Sequence, residues 1–159
     1  KNPFIKKLQM VFDEGLYDPA NEPDIAYAHL FSYFRGEEWR TQKETQRLLD
    51  KYFTTKPNGI PGNDDTGTMS AWAIFNMIGF YPDCPGLPEY TLTTPVFNKV
   101  TIRLDPKWYK EKELVIESNR TQPGTLYINK VLLNGKKFNQ YRITHDELVH
   151  SQRILFDLK

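Results

Sequence analysis

Apolar positions recur along this chain with two different periods, and residues 81–88 divide them. Before that stretch the spacing is helical. Phe4, Ile5, Leu8, Val11 and Phe12 form one stripe with Lys6, Lys7 and Gln9 opposite, and Asn2-Pro3 supplies a cap and a first helical residue. Residues 13–20 read as a loop. Asn21-Glu22-Pro23-Asp24 then opens a second helix whose body, residues 25–34, is apolar or aromatic on most faces and ends at Gly36. Residues 37–53 carry Trp39, Leu48, Leu49, Tyr52 and Phe53 on one side and charges on the other. Thr41 and Glu44 have capping-box spacing and would mark the start of that helix. The segment Thr68–Ile78 is apolar on nearly every face, which predicts a helix buried all round, closed by Gly79.

Prolines and a glycine crowd residues 81–88, where neither a helix nor a central strand tolerates so many breakers. Beyond them the period is two. Residues 90–94, 96–104, 113–117, 125–133, 136–142 and 153–158 read as strands, with Asn134-Gly135 as a type I′ hairpin signal and Thr144 with Glu147 capping one helical turn. The predicted fold class is α+β, with a helical part over residues 1–88 and a small antiparallel β-sheet or sandwich over 89–159. In the helical part amphipathic and buried helices alternate. A simple bundle makes every helix amphipathic. A double ring, with inner helices facing the centre and outer ones facing water, gives the alternation and gathers the loops entering the inner helices at one end. Those loops are Asn21-Glu22-Pro23-Asp24 and Gly62-Asn63-Asp64-Asp65, and both carry acids.

Composition narrows the function classes. Of 159 residues, 39% are hydrophobic and 14% aromatic, enough for a real core. A net charge of +1, from 21 basic and 20 acidic residues, leaves no electrostatic footprint for nucleic acid. No apolar run reaches the length of a membrane span. Cys84 is the sole cysteine, so neither a disulfide framework nor a cysteine metal cluster is expected.

The candidate chemistry concentrates in Pro61-Gly62-Asn63-Asp64-Asp65-Thr66-Gly67, just ahead of the buried helix. Gly62 and Gly67 permit a sharp turn. Free N–H groups and the dipole at a helix N-terminus favour ionised carboxylates there, as a general base requires. The same residue types also cap ordinary helices, so base and cap both stand as readings. An EF-hand is excluded, because Thr68 and Ile74 fall where that loop needs glycine and glutamate. His29 reads as a core histidine, and His145 and His150 as turn and surface residues.

Gly59-Ile60-Pro61-Gly62-Asn63-Asp64-Asp65-Thr66-Gly67, with Met69-Ser70-Ala71-Trp72 and Gly79-Phe80-Tyr81-Pro82, resembles the C-terminal part of glycoside hydrolase family 92. Asn21-Glu22-Pro23, residues 38–42, Thr94-Pro95-Val96-Phe97 and Ile143-Thr144-His145-Asp146 extend the resemblance over nearly the whole chain. It implies part of an (α/α)6 toroid, calcium-dependent inverting hydrolysis of terminal α-mannosides of glycans, and secretion to the periplasm or exterior, commonly in bacteria. It implies Asp65 as general base, with Asp64 compensating where Asn63 replaces a further carboxylate, and Asn21 and Glu22 near Ca2+. It further implies that the chain is a fragment, inactive alone, whose general acid lies upstream. Its helices would then need covering at Tyr27, Phe31, Phe34, Trp72, Phe75 and Ile78, by the remainder of the polypeptide or another copy. The alternative is a non-catalytic structural or carbohydrate-binding module in which the acidic loop only caps a helix.

Overall fold

The computed structural model describes residues 2–159 and divides into two compact units, residues 1–74 and 75–159. The first unit begins with α1 (Pro3–Asp13), where the Asn2 side chain accepts from Phe4 N and Pro3 occupies the first turn. The stripe points inward through Ile5, Leu8 and Phe12, while Phe4 stays 46% exposed. The second predicted helix is not α-helical. It forms 3-10 turns over Glu22–Asp24 and Tyr27–Tyr33, with hydrogen bonds closing at the tighter spacing. Apolar content fixed its burial, through Ala28, His29 and Phe31, without fixing its hydrogen-bond pattern.

Helix α2 (Glu38–Tyr52) starts before the expected Thr41 cap. Thr41 and Glu44 lie inside it, buried. The Thr41 hydroxyl points to His29 O, and Glu44 Oε1 accepts from Gln9 Nε2 at 3.0 Å. Arg47 Nε sits 2.8 Å from Glu44 Oε2 as an ion pair. The spacing thus serves packing and charge pairing instead of a capping box. Helix α3 (Thr68–Ile78) has the predicted bounds, and the division between the units falls within it, after Ile74.

Two residues expected to need an outside cover are buried by the chain itself. Trp72 is 1% exposed and Phe31 0%. Trp72 stacks on Phe53 at 5.4 Å, meets His29 edge-on, and donates from Nε1 to Ile25 O at 2.9 Å. Exposed apolar side chains occur elsewhere in this unit, among them Leu16 (60%), Ile74 (59%) and Tyr33 (48%).

The second unit holds two sheets. β1 (Phe80–Tyr81), β2 (Glu89–Leu92) and β7 (Arg142–Thr144) form an antiparallel three-stranded sheet in the order β1-β2-β7. β3 (Lys99–Arg103), β4 (Glu113–Arg120), β5 (Ile128–Leu133), β6 (Lys136–Phe138) and β8 (Arg153–Leu158) form a five-stranded sheet ordered β3-β4-β8-β5-β6. That sheet is mixed, not antiparallel throughout, because β4 and β8 run parallel. Alternation sets which face a residue takes and is blind to strand direction. The Asn134-Gly135 turn has both φ angles positive, 49° and 79°, as a type I′ turn requires. The Asn134 side chain also accepts from Gln152 N and Arg153 N, tying the hairpin to β8. Thr144 and Glu147 form a complete capping box on α4 (His145–Val149).

The apolar core of this unit draws on both sheets, through Phe80, Leu92 and Ile143 from one and Leu114, Ile116, Ile154 and Phe156 from the other. Phe75 and Ile78 at the end of α3 pack against it. The unit therefore begins at Phe75, ahead of the breaker-rich stretch at 81–88, since β1 pairs with β2 and takes Phe80 into the sheet core. His145, expected at a surface turn, lies between the hydroxyls of Tyr90 (2.9 Å) and Tyr109 (3.3 Å).

A buried ion pair fastens the small sheet. The Asp83 side chain is 0% exposed and takes Arg142 Nη1 at 3.2 Å and the Thr91 hydroxyl at 2.8 Å. Burial, with the Asp83 charge adding to it, pushes the nearby Tyr81 hydroxyl up to about 12. Arg142→Ala leaves the Asp83 charge buried without its cation. It should destabilise the fold by about 3 kcal/mol in denaturant unfolding. A loss below about 0.5 kcal/mol, the scale of an exposed pair, would show that the pair carries little.

Candidate active site

The acidic loop is built on the start of α3. Asp64 Oδ1 accepts from Ser70 N at 2.8 Å and from Ser70 Oγ at 2.7 Å, so this carboxylate is the helix cap. Both bonds hold the Asp64 carboxyl below its ordinary range, the hydroxyl contributing more than the amide. Asp65 differs. It lies exposed, and no hydrogen bond or ion pair engages its carboxylate among the described residues.

Its backbone, by contrast, is fixed. Asp65 and Thr66 take φ angles of 47° and 60°, left-handed conformations that non-glycine residues rarely adopt and that cost on the order of 1–3 kcal/mol each. Hydrogen bonds from the helix start hold them there. Gly67 N and Met69 N donate to Asp64 O at 3.1 and 3.2 Å, and Thr68 N and Oγ1 donate to Asp65 O at 3.2 and 2.8 Å. The loop thus spends one acid on anchoring and presents the other on a constrained peptide. Asn63 is exposed beside them.

The loops carrying Asn21-Glu22 and Asn63-Asp64-Asp65 approach each other, as the alternating pattern predicts. Gly62 has φ +67°, and a Cβ on it would stand 2.7 Å from Ala20 Cβ. Contact that close admits only glycine, and it sets Asn21 one residue from the meeting point. Asn21 and Glu22 are exposed oxygen donors with no side-chain partner among the described residues. Among those residues, no three His, Cys, Asp or Glu side chains gather as a metal site.

Ser70 is the residue of this loop to which the sequence reading gave no role of its own. A hydroxyl in the first turn of a helix, following a glycine-bracketed acid, was the available signal.

Comparison with known proteins gives this loop its context. All of residues 1–159 match the glycosyl hydrolase family 92 catalytic domain. The chain belongs to this family. The α-mannosidase BT3965 of Bacteroides thetaiotaomicron, a family GH92 enzyme, superposes with a TM-score of 0.89 at 31% identity, covering 98% of this chain and 21% of that one. The GH92 inverting mannosidase BT2199 of Bacteroides thetaiotaomicron superposes with a TM-score of 0.79 at 34% identity, covering 98% and 20%. An uncharacterized secreted glycosidase of Arthroderma benhamiae is 27% identical over 146 residues, 92% of this chain and 19% of its own length. The chain therefore spans about a fifth of the length of these GH92 and glycosidase relatives. Among the described residues no helix is long and apolar enough to cross a membrane.

The Ser70 clamp makes a pH-dependent prediction. A carboxyl depressed in the folded state contributes stability that is complete above its unfolded pKa and disappears as pH falls through the folded one. Ser70→Ala removes the stronger of the two bonds. The Asp64 carboxyl should then titrate at higher pH, toward the ordinary carboxylate range, when followed by NMR. An unmoved Asp64 titration would mean that the hydroxyl does not hold it.

Proposed function

We propose that this chain is part of the catalytic toroid of a secreted GH92 enzyme that hydrolyses terminal α-mannosides of glycans with inversion, using Asp65 as general base. The observation that carries the reading is the division of labour in the acidic loop: Asp64 is occupied by Ser70, while Asp65 holds an unengaged carboxylate on a pinned backbone. A general base must be ionised, oriented and open to water. The solved mannosidases that share this fold supply the substrate class, and BT3965 has also been solved with mannoimidazole.

In this reading a water stands against Asp65 on the sugar face opposite the leaving group. As the water oxygen attacks the anomeric carbon, Asp65 takes its proton, and an acid protonates the departing glycosidic oxygen. Inverting enzymes hold their two carboxyls roughly 6.5–9.5 Å apart to admit that water. Asp64 is adjacent in the chain and already engaged, so it does not supply the acid. The acid comes from a part of the enzyme outside these residues. In this reading Asp64 anchors the loop and Asn63, its exposed chain neighbour, orients the water.

Calcium is suited to the donors here in kind but not in number. Asn21 and Glu22 offer hard oxygens, which Ca2+ prefers, yet the ion takes six to eight of them. The described residues gather no larger cluster. Asn21 and Glu22 would supply one edge of such a site and the rest of the protein the remainder. Bound calcium would fix sugar hydroxyls by charge.

The capping role foreseen as the alternative to catalysis is taken by Asp64, which leaves Asp65 available. If Asp65 is the base, Asp65→Asn in the full-length enzyme keeps the fold and lowers turnover of an α-mannoside by about 10²–10⁴-fold. Turnover within about threefold of wild type, well short of that range, would remove Asp65 from the mechanism.

A further inference from the structure

The connection between α2 and α3 carries a second feature ahead of the acids. Residues 54–59 close on themselves, with Thr54 N donating to Gly59 O at 2.9 Å. A Cβ on Gly59 would stand 2.0 Å from Thr54 O, so this closure requires glycine. Between the closed loop and Asp64 lies an open concavity of about 760 Å³. Pro57 and Ile60 give its wall aliphatic C–H surface, while Thr54, Lys56 and Asn58 bring hydrogen-bonding groups. The Lys56 ammonium and the Asn58 amide have no side-chain partner among the described residues. Asp64 forms part of the wall, and Asp65 does not.

Aliphatic patches interleaved with donors and acceptors match a pyranose, which shows C–H groups on its faces and hydroxyls around its rim. A single lysine sharing the wall with the Asp64 carboxylate does not make a site for a phosphate or an acidic peptide, which draws on several cations. Because Asp65 lies outside the wall, the bond being cleaved is not inside the concavity. We propose that it receives the sugar next to the terminal mannose, with Lys56 and Asn58 holding that sugar's hydroxyls. The assignment rests on the mannosidase reading with Asp65 as base. It makes the α2–α3 connection a determinant of which glycan is accepted.

The test uses the full-length enzyme with two substrates, an α-mannobiose and an aryl α-mannoside whose leaving group carries no sugar hydroxyls. In Lys56→Met and in Asn58→Ala, the ratio of kcat/KM for mannobiose to that for the aryl mannoside should fall about five- to tenfold, as expected for one lost hydrogen bond. Activity on the aryl mannoside reports folding of each variant. A ratio within about twofold of wild type in both variants, less than one hydrogen bond is worth, would overturn the subsite while leaving the base assignment standing. Wild-type enzyme that cleaves neither substrate would overturn the mannosidase reading and the subsite together.

Discussion

The arrangement of the acidic loop depends on one carboxylate oxygen. Asp64 Oδ1 accepts from both the amide and the hydroxyl of Ser70, and this anchors the turn that leads into α3. Asp65 and Thr66 are consequently held at positive φ, where isolated residues of their type would relax. Strain of this kind persists only where the surroundings over-determine it. Here they do, with helix-start hydrogen bonds on Asp64 O and Asp65 O and with Gly62 pressed against Ala20. Two acids adjacent in sequence are thereby given different surroundings. In the proposed mechanism that difference separates the anchor from the base.

Burial elsewhere supports the same loop. Trp72, one turn beyond Thr68, is stacked on Phe53 and donates to Ile25 O, which ties α3 to the 3-10 segment that follows Asn21 and Glu22. The loop with the proposed base and the loop with the proposed metal ligands are therefore fixed to one aromatic core. In the second unit, the Asp83–Arg142 pair and the capping box on α4 fasten the small sheet.

Much of this was legible in the residues, for identifiable reasons. Thr68–Ile78 is bounded by glycines, so its limits could be read, but the all-round burial expected from its composition did not follow: Met69, Trp72, Ala73 and Asn76 are buried while Ile74 is 59% exposed. Asn134-Gly135 and Thr144 with Glu147 are local signals whose geometry is decided within four residues, and they formed as expected. What failed was information that local sequence does not hold. Residues 25–34 are apolar enough to be buried as either an α-helix or 3-10 turns, and tertiary packing selected the latter. The parallel pairing of β4 with β8 joins strands far apart in the chain with the same alternation either direction would need. Thr41 and Glu44 had the spacing of a cap and were used as buried packing partners. At the site, the family resemblance already implied Asp65 as base with Asp64 as its helper, but the anchoring of Asp64 was not read. That anchoring lies in the bonds to Ser70.

The central claim, that Asp65 serves as base while Asp64 serves as anchor, has a direct chemical test. Removing a general base from an inverting glycosidase leaves the site able to use a small anion that needs no deprotonation. Full-length Asp65→Ala and Asp64→Ala enzymes are incubated with an activated α-mannoside and azide, and the products are identified by NMR. The account predicts that azide restores turnover in Asp65→Ala with formation of β-mannosyl azide, and restores none in Asp64→Ala. Rescue of Asp64→Ala but not of Asp65→Ala would contradict it.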